Sequence, residues 1–227
     1  MKKQKINVGI IVKDGLILFA ISTALVIVAN AGFDLLKGKG VKDDLLVTAI
    51  HQDKFDELKK LAESGDNELN ILDGHKRTAL MQACFVNYIL PKRVKEADEK
   101  RAKMVAVLIE NGSPVEARDE HGWTALMWAS WSGMPTVVKE LLDANASVNP
   151  AGVRGYTALA LAAMRGKDQI VKQLLEKGAD VSATTKDGKT PLELAKSQMA
   201  KYGSDSDSDH EKKARFEKTV LLLEAAQ

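Results

Sequence analysis

A single cysteine, Cys84, in 227 residues excludes an intramolecular disulfide and any cysteine-rich zinc site. Histidine is scarce as well. His51, His75, His121 and His210 share no ligand spacing, so they read as surface histidines, and neither a metal nor a cofactor is expected. A surplus of charge is also missing. The 33 basic and 31 acidic residues leave +2, but residues 1–31 hold four lysines and one aspartate, so residues 32–227 carry 29 against 30, or −1. A fold that binds nucleic acid should hold a basic excess, so nucleic acid is not expected as a partner. No recognisable catalytic frame stands out. Gly188-Lys189-Thr190 has the ending of a phosphate loop, but the glycine needed five residues before Gly188 is Ala183. The scattered carboxylates suit solvated helix faces. No enzyme is expected. What is plentiful is ordinary: 45% apolar and 28% charged residues, the balance of a globular chain.

The N-terminus departs from that balance. Met1-Lys2-Lys3-Gln4-Lys5 is followed by an apolar run from Leu16 to Ala29, closed by Ala29-Asn30-Ala31. A basic start, an apolar middle and a small-x-small ending are the parts of a secretory signal peptide, with cleavage expected after Ala31. The run falls short of the roughly 20 apolar residues of a membrane span. An uncleaved membrane anchor is the alternative, because Lys13-Asp14 interrupts an earlier apolar patch from Ile6 to Val12; a buried hydrophobic helix is a third reading. In the first two readings the lysines keep the N-terminus cytoplasmic and the rest is exported. Residues 1–31 are thus signal peptide or anchor, and 32–40 a linker. The expected location is the periplasm, or the inner membrane facing it, with membrane contact only through an uncleaved N-terminal segment.

The remainder repeats. Thr124-Ala125-Leu126, Thr157-Ala158-Leu159 and Thr190-Pro191-Leu192 are each 33 residues apart, and Thr78-Ala79-Leu80 precedes Thr124 by 46, or 33 plus an insertion of 13. A period of that length signals a solenoid. Counted from each Thr, Leu recurs at +2 (Leu80, Leu126, Leu159, Leu192) and Ala at +5 (Ala83, Ala129, Ala162, Ala195), the stripe of a short amphipathic helix. Val137-Val138 with Leu141-Leu142, and Ile170-Val171 with Leu174-Leu175, define a second helix. Gly133 and Gly166 lie between the two, where a turn needs a permissive backbone, and each Thr suits an N-cap. Cys84 takes the small position held by Ser130 and Ala163, and reads as a packed thiol.

With these motifs the chain resembles the ankyrin repeat family, on Asp187-Gly188-Lys189-Thr190-Pro191-Leu192, His121-Gly122-Trp123-Thr124-Ala125-Leu126 and Leu174-Leu175-Glu176-Lys177-Gly178-Ala179-Asp180. Three of the four Thr-x-Leu triplets carry Ala where the family prefers Pro, and Met81, Met127 and Ala160 stand where it has His. The resemblance implies an all-α solenoid of about five helix–turn–helix units joined by hairpin-like loops over residues 41–227. The expected units are a degenerate cap at 41–70, with Asp44 in the place of Thr, then 73–117 with a charged insertion at 86–99, 119–149 and 152–183. The last unit, 185–227, has an acidic loop at 203–210 and a helix near Glu211–Ala225. The insertion is expected either as a solvated loop after a helix ending near Tyr88, or as an early, projecting start of the second helix. In a one-dimensional stack each unit buries its apolar side only against its neighbours.

Aromatics are few, eleven in all, yet Trp123, Trp128 and Trp131 fall within nine residues of one repeat. Trp131 lies about 140° around the helix from Leu126, off the core stripe. Trp128 takes a leucine-type position and reads as packing. The family resemblance implies a concave groove lined at positions −1, +7 and +8, here Trp123, Tyr156, Phe85, Val86, Trp131, Met164 and Arg165. A strip of Phe85, Met127, Trp131, Trp123, Tyr156 and Met164 is expected, rimmed by Arg118, Glu120, His121, Arg154 and Lys189; exposed patches of that kind mark interaction sites. The competing reading is that these bulky side chains fill gaps between repeats. The expected function is an exported, non-catalytic module that holds one protein partner. By its similarity to exported bacterial proteins of this family, the expected role is an inhibitor or immunity protein for a periplasmic or secreted cell-envelope hydrolase. The alternative is a membrane-anchored scaffold, or an accessory to a periplasmic enzyme such as a catalase. Intact-mass measurement of the expressed protein should find a chain beginning at Gly32; retention of Met1 or Lys2 would establish the anchor instead.

Overall fold

The computed structural model describes residues 41–65, 69, 73–85, 91–202 and 207–227. The signal peptide or anchor, the linker and the N-terminal hydrophobic helix expected above lie outside the described residues. Leu45–Gln227 form one compact unit. Ten helices follow in order among the described residues: α1 Val41–His51, α2 Phe55–Glu63, α3 Ala79–Ala83, α4 Pro91–Glu110, α5 Ala125–Ser132, α6 Pro135–Asp143, α7 Ala158–Met164, α8 Asp168–Glu176, α9 Pro191–Met199 and α10 Asp207–Glu224. No described residue is in a strand. None of these helices is long and apolar enough to cross a membrane.

Helices α3 to α10 pair along the chain into four units, and together with α2 of the preceding unit they stack in two layers. One layer runs α3, α5, α7, α9, and the other α2, α4, α6, α8, α10, each helix packing on the corresponding helix of the next unit. The Thr residues start the first-layer helices as expected. Thr78, Thr124, Thr157 and Thr190 each accept, through the side-chain oxygen, the N–H three residues on, and the N–H of Thr190 donates in return to the Glu193 carboxylate. Gly133 ends α5 with φ 77°, a left-handed conformation that an L side chain adopts only with strain. The second-layer doublets point inward: Val137, Val138 and Leu141 are fully buried. Leu58, Leu80, Met104, Leu108, Leu126 and Leu159 join them in a continuous core. The last helix starts earlier than expected, at Asp207 within the acidic run. Aspartates at a helix N-terminus are favoured by the peptide dipoles, so part of that run is helix. Asp44 lies inside α1 and not at a cap.

The insertion takes the second of its two expected forms, and it does not simply project. The first helix of that repeat ends at Ala83, and α4 begins at Pro91, a residue suited to a first helical turn. Its added N-terminal length is charged, yet Asp98 and Arg101 are buried. The Asp98 carboxylate accepts from the N–H groups of Thr136 and Val137 at 2.9 and 3.0 Å. It thereby caps α6 of the following repeat, whose own N-cap residue, Met134, supplies no side-chain bond. Arg101 Nε donates to Asp53 Oδ1 at 2.9 Å, in the turn between α1 and α2. Two charged residues of α4, Asp98 in the insertion and Arg101 just after it, thus fasten the second unit to the first and to the third. Asp98→Ala should lower stability by about 1–2 kcal/mol, the range of a lost helix cap. Glu99→Ala, exposed one residue away, should stay within about 0.5 kcal/mol, and thermal melts followed by circular dichroism check both.

Candidate functional site

The loops that enter the repeats are built alike. Asp73, Asp119, Gly152 and Thr185 each donate their N–H to the carbonyl four residues on, at Arg77, Trp123, Tyr156 and Lys189, with distances of 2.9–3.1 Å. Successive loops are then joined. The N–H of Glu120 donates to His75 O, that of Val153 to His121 O and that of Lys186 to Arg154 O, at 2.8–3.1 Å. This ladder sets the residue before each Thr at the mouth of a first-layer helix.

Side chains refine the pattern. Asp119 Oδ1 accepts from the N–H groups of His121 and Trp123, while Oδ2 accepts from Trp128 Nε1 at 3.0 Å. Asp73 repeats this one unit earlier: Oδ1 accepts from His75 and Arg77 N–H, and Oδ2 from Arg77 Nε and from Gln82 Nε2 at 2.8 Å. Burial would raise the Asp73 pKa, but these bonds and the Arg77 charge outweigh it and hold the carboxyl below its ordinary value. Gln82 and Trp128 both occupy position +4. In the next two repeats the loop residue is Gly152 or Thr185, without a carboxylate, and position +4 is Leu161 or Leu194. Donor and acceptor change together.

Trp128, held by Asp119, anchors a line of rings. Phe85 meets Trp128 edge-on with centroids 5.0 Å apart; Trp128 meets Trp123 at 4.8 Å, and Trp123 meets Trp131 at 5.9 Å. Guanidinium groups lie over two of these rings, Arg77 5.9 Å from the centroid of Trp128 within the line and Arg165 4.7 Å from that of Trp131 at its end. Each ring pair contributes about 0.5–1.5 kcal/mol beyond its buried area. Gly152 makes room for this line, because a Cβ built there would fall 2.8 Å from Trp123 Cδ1 and 3.0 Å from His121 O.

The structure both gathers and divides the residues expected to meet a partner. Phe85, Trp123 and Trp131 come together and are half-buried against the core, not openly displayed. Tyr156 and Met164 are half-buried nearby, and neither makes a ring contact with the line among the described residues. Met127 must be removed from the expected strip. It is 1% exposed, because α5 is covered by α3 on one side and α7 on the other as well as by α6, so position +3 turns inward. Arg118, Glu120, His121, Arg154, Arg165 and Lys189 are exposed. Glu120 contacts His75 at 2.7 Å and His121 at 3.7 Å, and Arg118 donates to Ala151 O at 3.0 Å. Trp128, expected as packing, turns out to be the hub of the ring line.

Two further residues were not evident in the pattern. Arg77 shields Trp128. Lys167 lies half-buried across Gly133, where an added Cβ would fall 2.4 Å from Lys167 Cε. Burial pushes its ammonium pKa down, and Arg165 and Arg215 push the same way, with Asp168 opposing. Its place directly after Gly166, at the start of α8, was the available signal. Cys84 is buried, and burial pushes its thiol far above the ordinary value, which disfavours the reactive thiolate. Among the described residues no group of three or more His, Cys, Asp or Glu side chains could hold a metal ion.

Comparison with known proteins now bears on this arrangement. A family model described as ankyrin repeats, three copies, matches residues 96–151 and 148–205. These are ankyrin repeats. The chain is 39% identical over 101 residues to mouse (Mus musculus) ankyrin repeat and SAM domain-containing protein 6, and 30% identical over 101 residues to the rat (Rattus norvegicus) protein of that name. Each match covers 44% of this chain and 10% of the relative, so the chain spans about a tenth of the length of these relatives. Ankyrin repeats serve as protein-interaction modules and are generally non-catalytic. Gly152→Ala should displace Trp123, shift the tryptophan emission and lower stability by about 1–3 kcal/mol, the usual cost of overpacking; an unchanged spectrum and melt would place the ring elsewhere.

Proposed function

We propose that this chain is an exported binding protein that holds one protein partner along the ring line, without catalysis of its own. One observation carries the reading. Four aromatic rings from two successive repeats form a single half-buried surface, and Arg165 stands exposed at its end. Trp and Arg dominate interface energetics where they are presented on a rigid, pre-ordered frame. The basic start and apolar run of residues 1–31 favour export. An exported module of this kind suits an inhibitor or immunity protein that covers a cell-envelope hydrolase in the periplasm and protects the producing cell. If the apolar run stays attached, the same surface suits an anchored scaffold, or an accessory to a periplasmic enzyme such as a catalase.

A photo-crosslinking residue placed at Trp131 in the producing cell, with Lys139 on the exposed side of α6 as control, tests this reading. Mass spectrometry should identify one envelope enzyme captured from position 131 and not from 139. Purified chain should then lower the hydrolytic activity of that enzyme. Equal capture from both positions would remove the groove, and capture without inhibition would favour the scaffold.

A further inference from the structure

The ring line accounts for the apolar part of the candidate site but not for the charges around it. In the four entry loops, over residues 73–77, 118–123, 151–156 and 184–189, the exposed cations are Lys76, Arg118, Arg154, Lys186 and Lys189, and the exposed carboxylates only Glu120 and Asp187. Glu120 is already engaged by His75. Arg165 adds an exposed cation at the end of α7, beside Trp131. This excess is local, since residues 32–227 as a whole carry −1. Little of it is spent: among the described residues, Arg154, Arg165, Lys167, Lys186 and Lys189 form no salt bridge, and Asp168 and Glu193 act on Lys167 and Lys189 without an ion-pair contact.

We propose that the partner segment seated on the ring line is acidic, with one carboxylate settling between Arg165 and Lys167 beside Trp131 and others lying against Arg154, Lys186 and Lys189. The proposal rests on the groove reading above and names the chemistry of its occupant. Lys167 is the informative residue. It gives up water by lying across Gly133, and its neighbours Arg165 and Arg215 repel it. Asp168 and the carbonyl end of α5 offset part of that cost, and Glu211 is occupied by Arg215. An incoming carboxylate would meet two cations in a partly desolvated place, where attraction is stronger than in open water. Steering by the exposed cations of the loops would speed the encounter and make it salt-sensitive. A nucleic acid is a poorer fit. Its bases need free ring faces on which to stack, and here Trp123, Trp128 and Phe85 are turned against one another while Arg165 covers Trp131.

The test uses the full-length chain in a non-ionic detergent. The probes are a fluorescent peptide of alternating glutamate and tyrosine, its glutamine and lysine counterparts, and an oligothymidylate. The glutamate peptide should bind at least tenfold more tightly than the glutamine one. That preference should disappear in Arg165→Glu and weaken with added salt, while Trp131→Ala should reduce binding of every peptide. If Trp131→Ala loses its fold by circular dichroism, Trp131→Leu replaces it. Equal binding of glutamate and glutamine peptides that still depends on Trp131 overturns the acidic partner and leaves the groove. Binding that ignores Trp131 overturns the groove and this proposal with it. Tighter retention of the oligothymidylate, or no binding of any peptide, overturns the acidic partner as well.

Discussion

Each helix pair in this stack has an apolar side that only the next pair can cover, and everything else follows from that dependence. Leu80, Leu126 and Leu159 recur at one phase because each has to fill the same space between first-layer helices, and each is buried. The Thr caps set where α3, α5, α7 and α9 begin, so that consecutive pairs present the same face. A solenoid of this kind shares its load along one axis, so a bond across one boundary matters to units on both sides. Asp98 and Arg101 act in this way. From within α4, Asp98 reaches forward to cap α6 and Arg101 reaches back to the turn at Asp53. A stretch of charge that reads as solvated is in fact a double fastening.

The same dependence shapes the candidate site. First-layer helices are covered on three sides, which draws Met127 into the core and leaves only part of each tryptophan ring in water. The rings therefore serve two ends. They fill the space between the second and third repeats, and they leave a half-covered aromatic surface with Arg77 over Trp128 and Arg165 over Trp131. The two competing readings of the tryptophans, packing and partner surface, are not exclusive, because one ring can pack on its inner edge and face solvent on its outer one.

Local chemistry distinguishes the repeats from one another. Where the loop carries Asp73 or Asp119, position +4 supplies an N–H donor from Gln82 or Trp128, and where the loop carries Gly152 or Thr185, position +4 is leucine. A carboxylate partly removed from water requires donors on both oxygens, so the two positions change as a pair. The tryptophan cluster depends on this exchange: Asp119 holds Trp128, and the missing side chain at Gly152 admits Trp123.

Periodicity was enough to read the helix pairs, their Thr caps and the buried leucines, because those features are set by local backbone preference and by a spacing that recurs every 33 residues. The three tryptophans were legible as a cluster for the same reason. Their partners were not. Asp98 meets α6 across 38 and 39 residues, Arg101 meets Asp53 across 48, and Lys167 lies over Gly133. Such contacts depend on how two units rotate and slide together, a matter of packing at the interface that no single repeat encodes. The course of the chain was therefore written in its pattern, whereas the depth of each ring and the company of each charge were decided only when the units met.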